Sequence, residues 1–187
     1  MFRKVVKIFF KNLLFFVLGF GIGFIIYYFT PTQSVDAILG YKYVQSIFGI
    51  RPAAEFASNW NMFVVVILTN FVSVICLFFL GWLMVGPAVS TLLGVVLSLI
   101  LFTGPLRHGM AIEIAILALI VIESTYRLFA ITAGTSLIKR KEYKGKHFEL
   151  ESVIKVKRDR HPLGYVLLVI LILGLLLFGA YYEVFLY

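Results

Sequence analysis

The chain has 187 residues, of which 61% are hydrophobic and only 14% charged, with a mean hydropathy of +1.01. A soluble domain is about 45–50% apolar and about 25% charged, so this composition excludes a soluble globular enzyme, and the length is that of about one domain. The net charge of +8 does not point to nucleic acid, because the basic residues flank long apolar runs, as anionic headgroups and membrane orientation require.

The first apolar run covers about residues 8–29 and follows Arg3, Lys4 and Lys7. It is longer than the apolar part of a signal peptide, and no A-x-A-like cleavage site follows it, so a retained first span is expected. Residues 30–59 form a linker that opens Thr30-Pro31, a helix start with proline at the first helical position. Val35, Ile38 and Leu39, then Val44, Ile47 and Phe48, recur at helical spacing. Short amphipathic helices lying on the membrane surface or capping the bundle are expected there, with another starting at Pro52.

The second run, about 60–85, is followed by an apolar turn from Gly81 to Pro87 and a third run, about 86–103. The pattern predicts a helical hairpin with its tip near the membrane. The fourth run covers about 109–137. A charged loop, 138–162, has no long apolar face and is expected to be helical at most near Glu149–Lys157. The fifth run covers about 163–182. Backbone groups in lipid must be satisfied within the segment, so all five runs should be helices. The fold class is all-α: a polytopic transmembrane bundle of about five spans forming a single integral membrane domain.

Arg3, Lys4, Lys7 and Lys11, together with nine basic residues between Lys139 and Arg160, lie on one side of a five-span arrangement. They are thirteen of the 17 basic residues. The other side carries Lys42, Arg51 and Arg107. The positive-inside rule then places the N-terminus in the cytoplasm and the C-terminus outside the cell membrane.

No nucleophile elbow, Walker A loop, H-E-x-x-H or paired-cysteine motif occurs. Cys76 lies within an apolar run and reads as a small buried hydrophobe. His108, His147 and His161 are far apart in sequence. No enzyme activity, cofactor or metal is expected. The residues that carry information are ionisable or polar groups inside apolar sequence. Glu113, Glu123 and Arg127 lie in the fourth run, where a charge at the bilayer centre costs at least about 2.5–3.5 kcal/mol. Glu123 and Arg127 are four apart with Glu first, the favourable order for a helical ion pair. They read as a salt bridge that locks the bundle or as a polar site for an ion, headgroup or partner; a third reading has Arg127 snorkelling to the cytoplasmic face beside a protonated Glu123. Glu113 is close to Arg107 and His108. In the second run Thr69, Asn70 and Ser73 form a polar patch, and Asn70 is expected to hydrogen-bond the polar face of the fourth. Gly19/Gly23, Ser90/Gly94/Ser98, Ala111/Ala115 and Ala130/Gly134 place small residues four apart. Such faces let helices approach closely, within the chain or in a homo-oligomer.

The stretch 59–134 resembles the stage II sporulation protein M family of small polytopic membrane proteins. The resemblance rests on Thr69-Asn70, Gly81…Gly86-Pro87, Ser90-Thr91-Leu92-Leu93-Gly94 and Arg107-His108-Gly109…Glu113, in that order. Pro105 stands apart from His108, where the family has a Pro-His-Gly turn, and Ser90-Thr91 stand in place of Asn-Gly. The resemblance implies a non-enzymatic scaffold or recruiting subunit of a membrane complex, with membrane lipids and a protein partner around it. A channel or transporter, oligomeric and built on Asn70, His108, Glu113, Glu123 and Arg127, is the competing expectation. A lipid-binding, membrane-shaping protein is a third.

Overall fold

The computed structural model describes residues 2–30, 34–35, 47, 58–103, 114–137 and 162–186. Five α-helices account for nearly all of these: α1 (Phe2–Phe29), α2 (Asn59–Leu80), α3 (Gly86–Thr103), α4 (Ile114–Leu137) and α5 (Pro162–Tyr181). No strand occurs among the described residues. The fold is the expected all-α bundle, and α1, α2, α4 and α5 are long and apolar enough to cross a membrane. The third helix is shorter, with an apolar part at Gly86–Phe102; its 18 residues give about 27 Å of helix, just under the ~30 Å of a typical hydrocarbon core. The outer amphipathic pattern beyond Ser34, Val35 and Ile47, residues 109–113 of the expected fourth span, and nearly all of the basic loop lie outside the described residues.

Local chemistry sets the ends. Ser58 is extended, and its hydroxyl accepts from the backbone N–H of Asn61 at 3.2 Å, capping α2. Proline opens α5 at Pro162, where its missing N–H would have had no helical partner.

The expected tight turn between α2 and α3 takes another form. Gly81–Val85 winds as a π-helix, and Leu80, Gly81 and Gly86 all keep right-handed helical backbone angles. Pro87 supplies a physical reason. It cannot donate to the carbonyl of Leu83, and its ring would crowd that carbonyl in regular α winding; the wider π turn relieves the conflict. Nor do α2 and α3 pack along each other. Each takes a different partner, α3 lying along α1 and α2 along α4.

Glycines set both pairings. A Cβ at Gly19 would strike the Thr91 carbonyl, and one at Gly94 would strike the backbone of Phe16 and Phe20. The two glycines therefore seat each helix on the other's backbone. Further along, a Cβ on Gly23 would lie 2.7 Å from the Val95 carbonyl oxygen, Tyr27 stacks on Phe102, and the Phe24 ring meets Phe102 at a tilt. Residue numbers rise together on α1 and α3, so these helices run in the same direction. The second crossing repeats the arrangement: Gly81 rests on the Ile131 carbonyl and Gly134 on the backbone of Phe78 and Trp82. Small residues at these crossings allow the close approach that drives helix association in lipid. Gly21, on the opposite side of α1, meets nothing within 4 Å. The small-residue faces at Gly19/Gly23, Gly94 and Gly134 thus serve packing within the chain.

The fourth helix is central. It contacts every other helix, and half of its apolar window is buried, against 17–28% for the other three long helices. The fifth helix runs against it in the opposite direction, Tyr165 reaching Ser136 and Gly179 resting on Ile122 and Tyr126. Leu77, Leu93, Tyr126, Ile131 and Leu176 form the heart of the core. Outward, Leu14, Val17, Leu68, Val121, Leu167 and Ile170 are exposed, a surface suited to acyl chains rather than water.

Candidate functional site

Arg127 lies in the middle of this packing and is 1% exposed. Its Nη1 donates to Glu123 Oε2 at 2.9 Å, one helical turn back. Its Nη2 donates across to Asn70 Oδ1 on α2 at 3.1 Å. The guanidinium carbon is 5.4 Å from the centroid of the neighbouring Tyr126 ring, which adds a cation–π contact. Nε has no acceptor among the described residues. The i, i+4 spacing puts Glu123 and Arg127 on one face of α4, and α2 presents Asn70 to that face along with buried Ser73.

The structure thus brings together three residues that the sequence singled out: Asn70, Glu123 and Arg127. His108 and Glu113 lie outside the described residues. Arg127 is enclosed within the bundle, which is incompatible with snorkelling to the headgroups. Glu123 keeps some exposure, 16% of its side chain against 2% for Arg127. Of the remaining patch on α2, Thr69 donates to its own helix at the Val65 carbonyl, and Ser73 donates to the Ile47 carbonyl at 2.7 Å. The latter ties Ile47 to α2.

A second polar layer escaped the sequence reading. Asn12 on α1, 1% exposed, donates through Nδ2 to Thr132 Oγ1 on α4 at 3.1 Å. Beside it, the Thr135 hydroxyl lies within hydrogen-bond distance of the Ile131 carbonyl, at 2.8 Å, and of the Gly81 carbonyl, at 3.2 Å. A Cβ on Gly86 would come 2.6 Å from Thr135 Oγ1. This layer therefore surrounds the π turn. Asn12 follows Lys11 and is easily absorbed into the basic flank of α1. Its spacing to Phe16, Gly19 and Gly23 (steps of four, three and four) places it on the same buried stripe, and that is the signal which could have found it.

Glu183 lies one residue beyond the expected last span. It lies in a π-helical turn, Tyr182–Leu186, that continues α5. Among the described residues no group of three or more His, Cys, Asp or Glu side chains could hold a metal ion. No protein-family pattern, curated protein or solved structure matches the chain.

Proposed function

We propose that this chain is a non-enzymatic, multi-pass protein of the cell membrane that acts as a scaffold or recruiting subunit of a membrane complex, in the manner of the stage II sporulation protein M family that residues 59–134 resemble. In this reading the N-terminus is cytoplasmic, the C-terminus is outside, and the basic loop faces the cytoplasm, where it meets partners and anionic lipid. The observation that carries the reading is the closed Asn70–Arg127–Glu123 bridge between α2 and α4. The central cation is spent on internal partners and fixes a rigid framework, as a platform for other proteins needs.

Gentle extraction from native membranes, followed by mass determination and identification of what co-purifies, tests it. The expected result is a stoichiometric second protein that is lost when the basic loop is neutralised. A second reading, an oligomeric channel or transporter, draws on the partly exposed Glu123 carboxylate. A pure homo-oligomer that carries ion flux into liposomes would replace the scaffold with it.

A further inference from the structure

The contacts that fix the rotation of α1 turn one of its faces away from the bundle. Asn12 bonds Thr132 of α4 at 3.1 Å, Phe9 stacks on Phe129 with ring centroids 4.6 Å apart, and Gly19 seats on α3. Lys7, Phe10, Lys11, Leu14 and Leu18 then point outward, at the three- and four-residue intervals of one helix face. All five are exposed, Phe10, Leu14 and Leu18 by between 53% and 62%. The face has two parts, a pair of ammonium groups toward the start of the helix and apolar side chains below them. The lysines are four apart, so their Cβ atoms are about 5–6 Å from each other and their charges repel on a bare helix. Among the described residues no carboxylate relieves that repulsion. Only Glu123 and Glu183 are acidic there. Glu123 is bonded to Arg127, and Glu183 follows the end of α5 opposite Tyr165, the residue that reaches Ser136.

Helix length sets the depth of these groups. The apolar stretch of α1 covers Val5–Phe29, 25 residues, which is about 37 Å of helix against ~30 Å of hydrocarbon. The surplus falls at the lysine end, because a charge within the hydrocarbon is costly, whereas a lysine stem can lie along apolar surface with its head at the interface. The ammonium groups therefore sit at the level of lipid phosphates, and Leu14 and Leu18 at the level of acyl chains. A free phosphate would use only the upper half of this face, and a molecule with an anionic head and an apolar tail uses both halves. We propose that this face of α1 is a binding site for one acidic phospholipid, its phosphate held between Lys7 and Lys11 and an acyl chain laid along Leu14 and Leu18. The bound lipid neutralises the lysine pair. It also covers the helix whose apolar window is the least buried of the four long ones, at 17%. The site is separate from the Asn70–Arg127–Glu123 bridge and holds whether or not a partner protein is recruited.

Native mass spectrometry of the purified full chain in neutral detergent, titrated with phosphatidylglycerol or with phosphatidylcholine of the same acyl chains, tests the proposal. The expected result is one retained phosphatidylglycerol at lipid concentrations where phosphatidylcholine leaves the protein bare. Lys7→Gln and Lys11→Gln should each weaken that binding about fivefold, and the two together about 25-fold, from the contribution of one lysine near an anionic surface. Lys7→Arg, which keeps the charge, should retain it. Lys144→Gln with Lys146→Gln removes the same charge from the 138–162 segment and should leave the binding unchanged. Excess glycerol phosphate, a headgroup without a tail, should not displace the lipid. Equal retention of the two lipids overturns the proposal. So does a Lys7→Gln/Lys11→Gln protein, helical by circular dichroism, that loses no more binding than the Lys144→Gln/Lys146→Gln protein. Displacement by glycerol phosphate overturns it too, since the site would then recognise a phosphate rather than a lipid.

Discussion

Arg127 is held by two unlike neighbours, a carboxylate on its own helix and an amide on another. Removing one member of a buried ion pair strands the other. Glu123→Ala is therefore expected to destabilise the bundle by about 3–5 kcal/mol, read from denaturant unfolding in mixed micelles. Adding Arg127→Leu should restore most of that loss, since both charges of the pair are then gone. A double variant as unstable as the single would show that the pair does more than hold the helices together. The sequence made this much of the site legible: i, i+4 spacing joins Glu123 to Arg127, and an Asn in an apolar run needs a partner. It could not place Glu183, one residue beyond the expected last span, in a π-helical turn that continues α5. Nor could it assign Asn12 to Thr132, a contact between the first and fourth helices that no local pattern encodes.

Between helices, glycine decides which pairs form. Gly19→Leu and Gly94→Leu place side chains into backbone that cannot withdraw, so each is expected to cost at least about 1–3 kcal/mol, the range for overpacked sites, and to lower the melting temperature in detergent. Gly21→Leu, facing open space, should leave it nearly unchanged. Equal effects at all three positions would mean that the α1–α3 crossing is not set by these glycines. The helices themselves were readable from hydropathy, because each is a long and predominantly apolar run. Their partners were not. Gly81 and Pro87 read as a turn joining two arms, but proline disrupts only its own carbonyl acceptor. The chain absorbs that loss by π winding, and α2 and α3 go to different neighbours.

For the whole molecule, the proposed orientation rests on thirteen of the 17 basic residues falling before or early in the first apolar run and in the 138–162 segment. An alkaline phosphatase fused after Tyr187 should be active outside the cytoplasm, while a fluorescent protein fused before Met1 should glow inside; the reverse pattern would invert the topology. The bond between Asn12 and Thr132 also has a consequence for how the protein is made. The two residues are 120 positions apart, so at ribosomal speeds of about 5–20 residues per second the second follows the first by roughly 6–24 s. During that interval the amide of the newly inserted first helix has no Thr132 to bond, and an unsatisfied polar group in hydrocarbon costs several kcal/mol. The helix that leaves the ribosome first can thus complete its own contacts only once the fourth has been synthesised, and the order of birth along the chain is not the order of assembly.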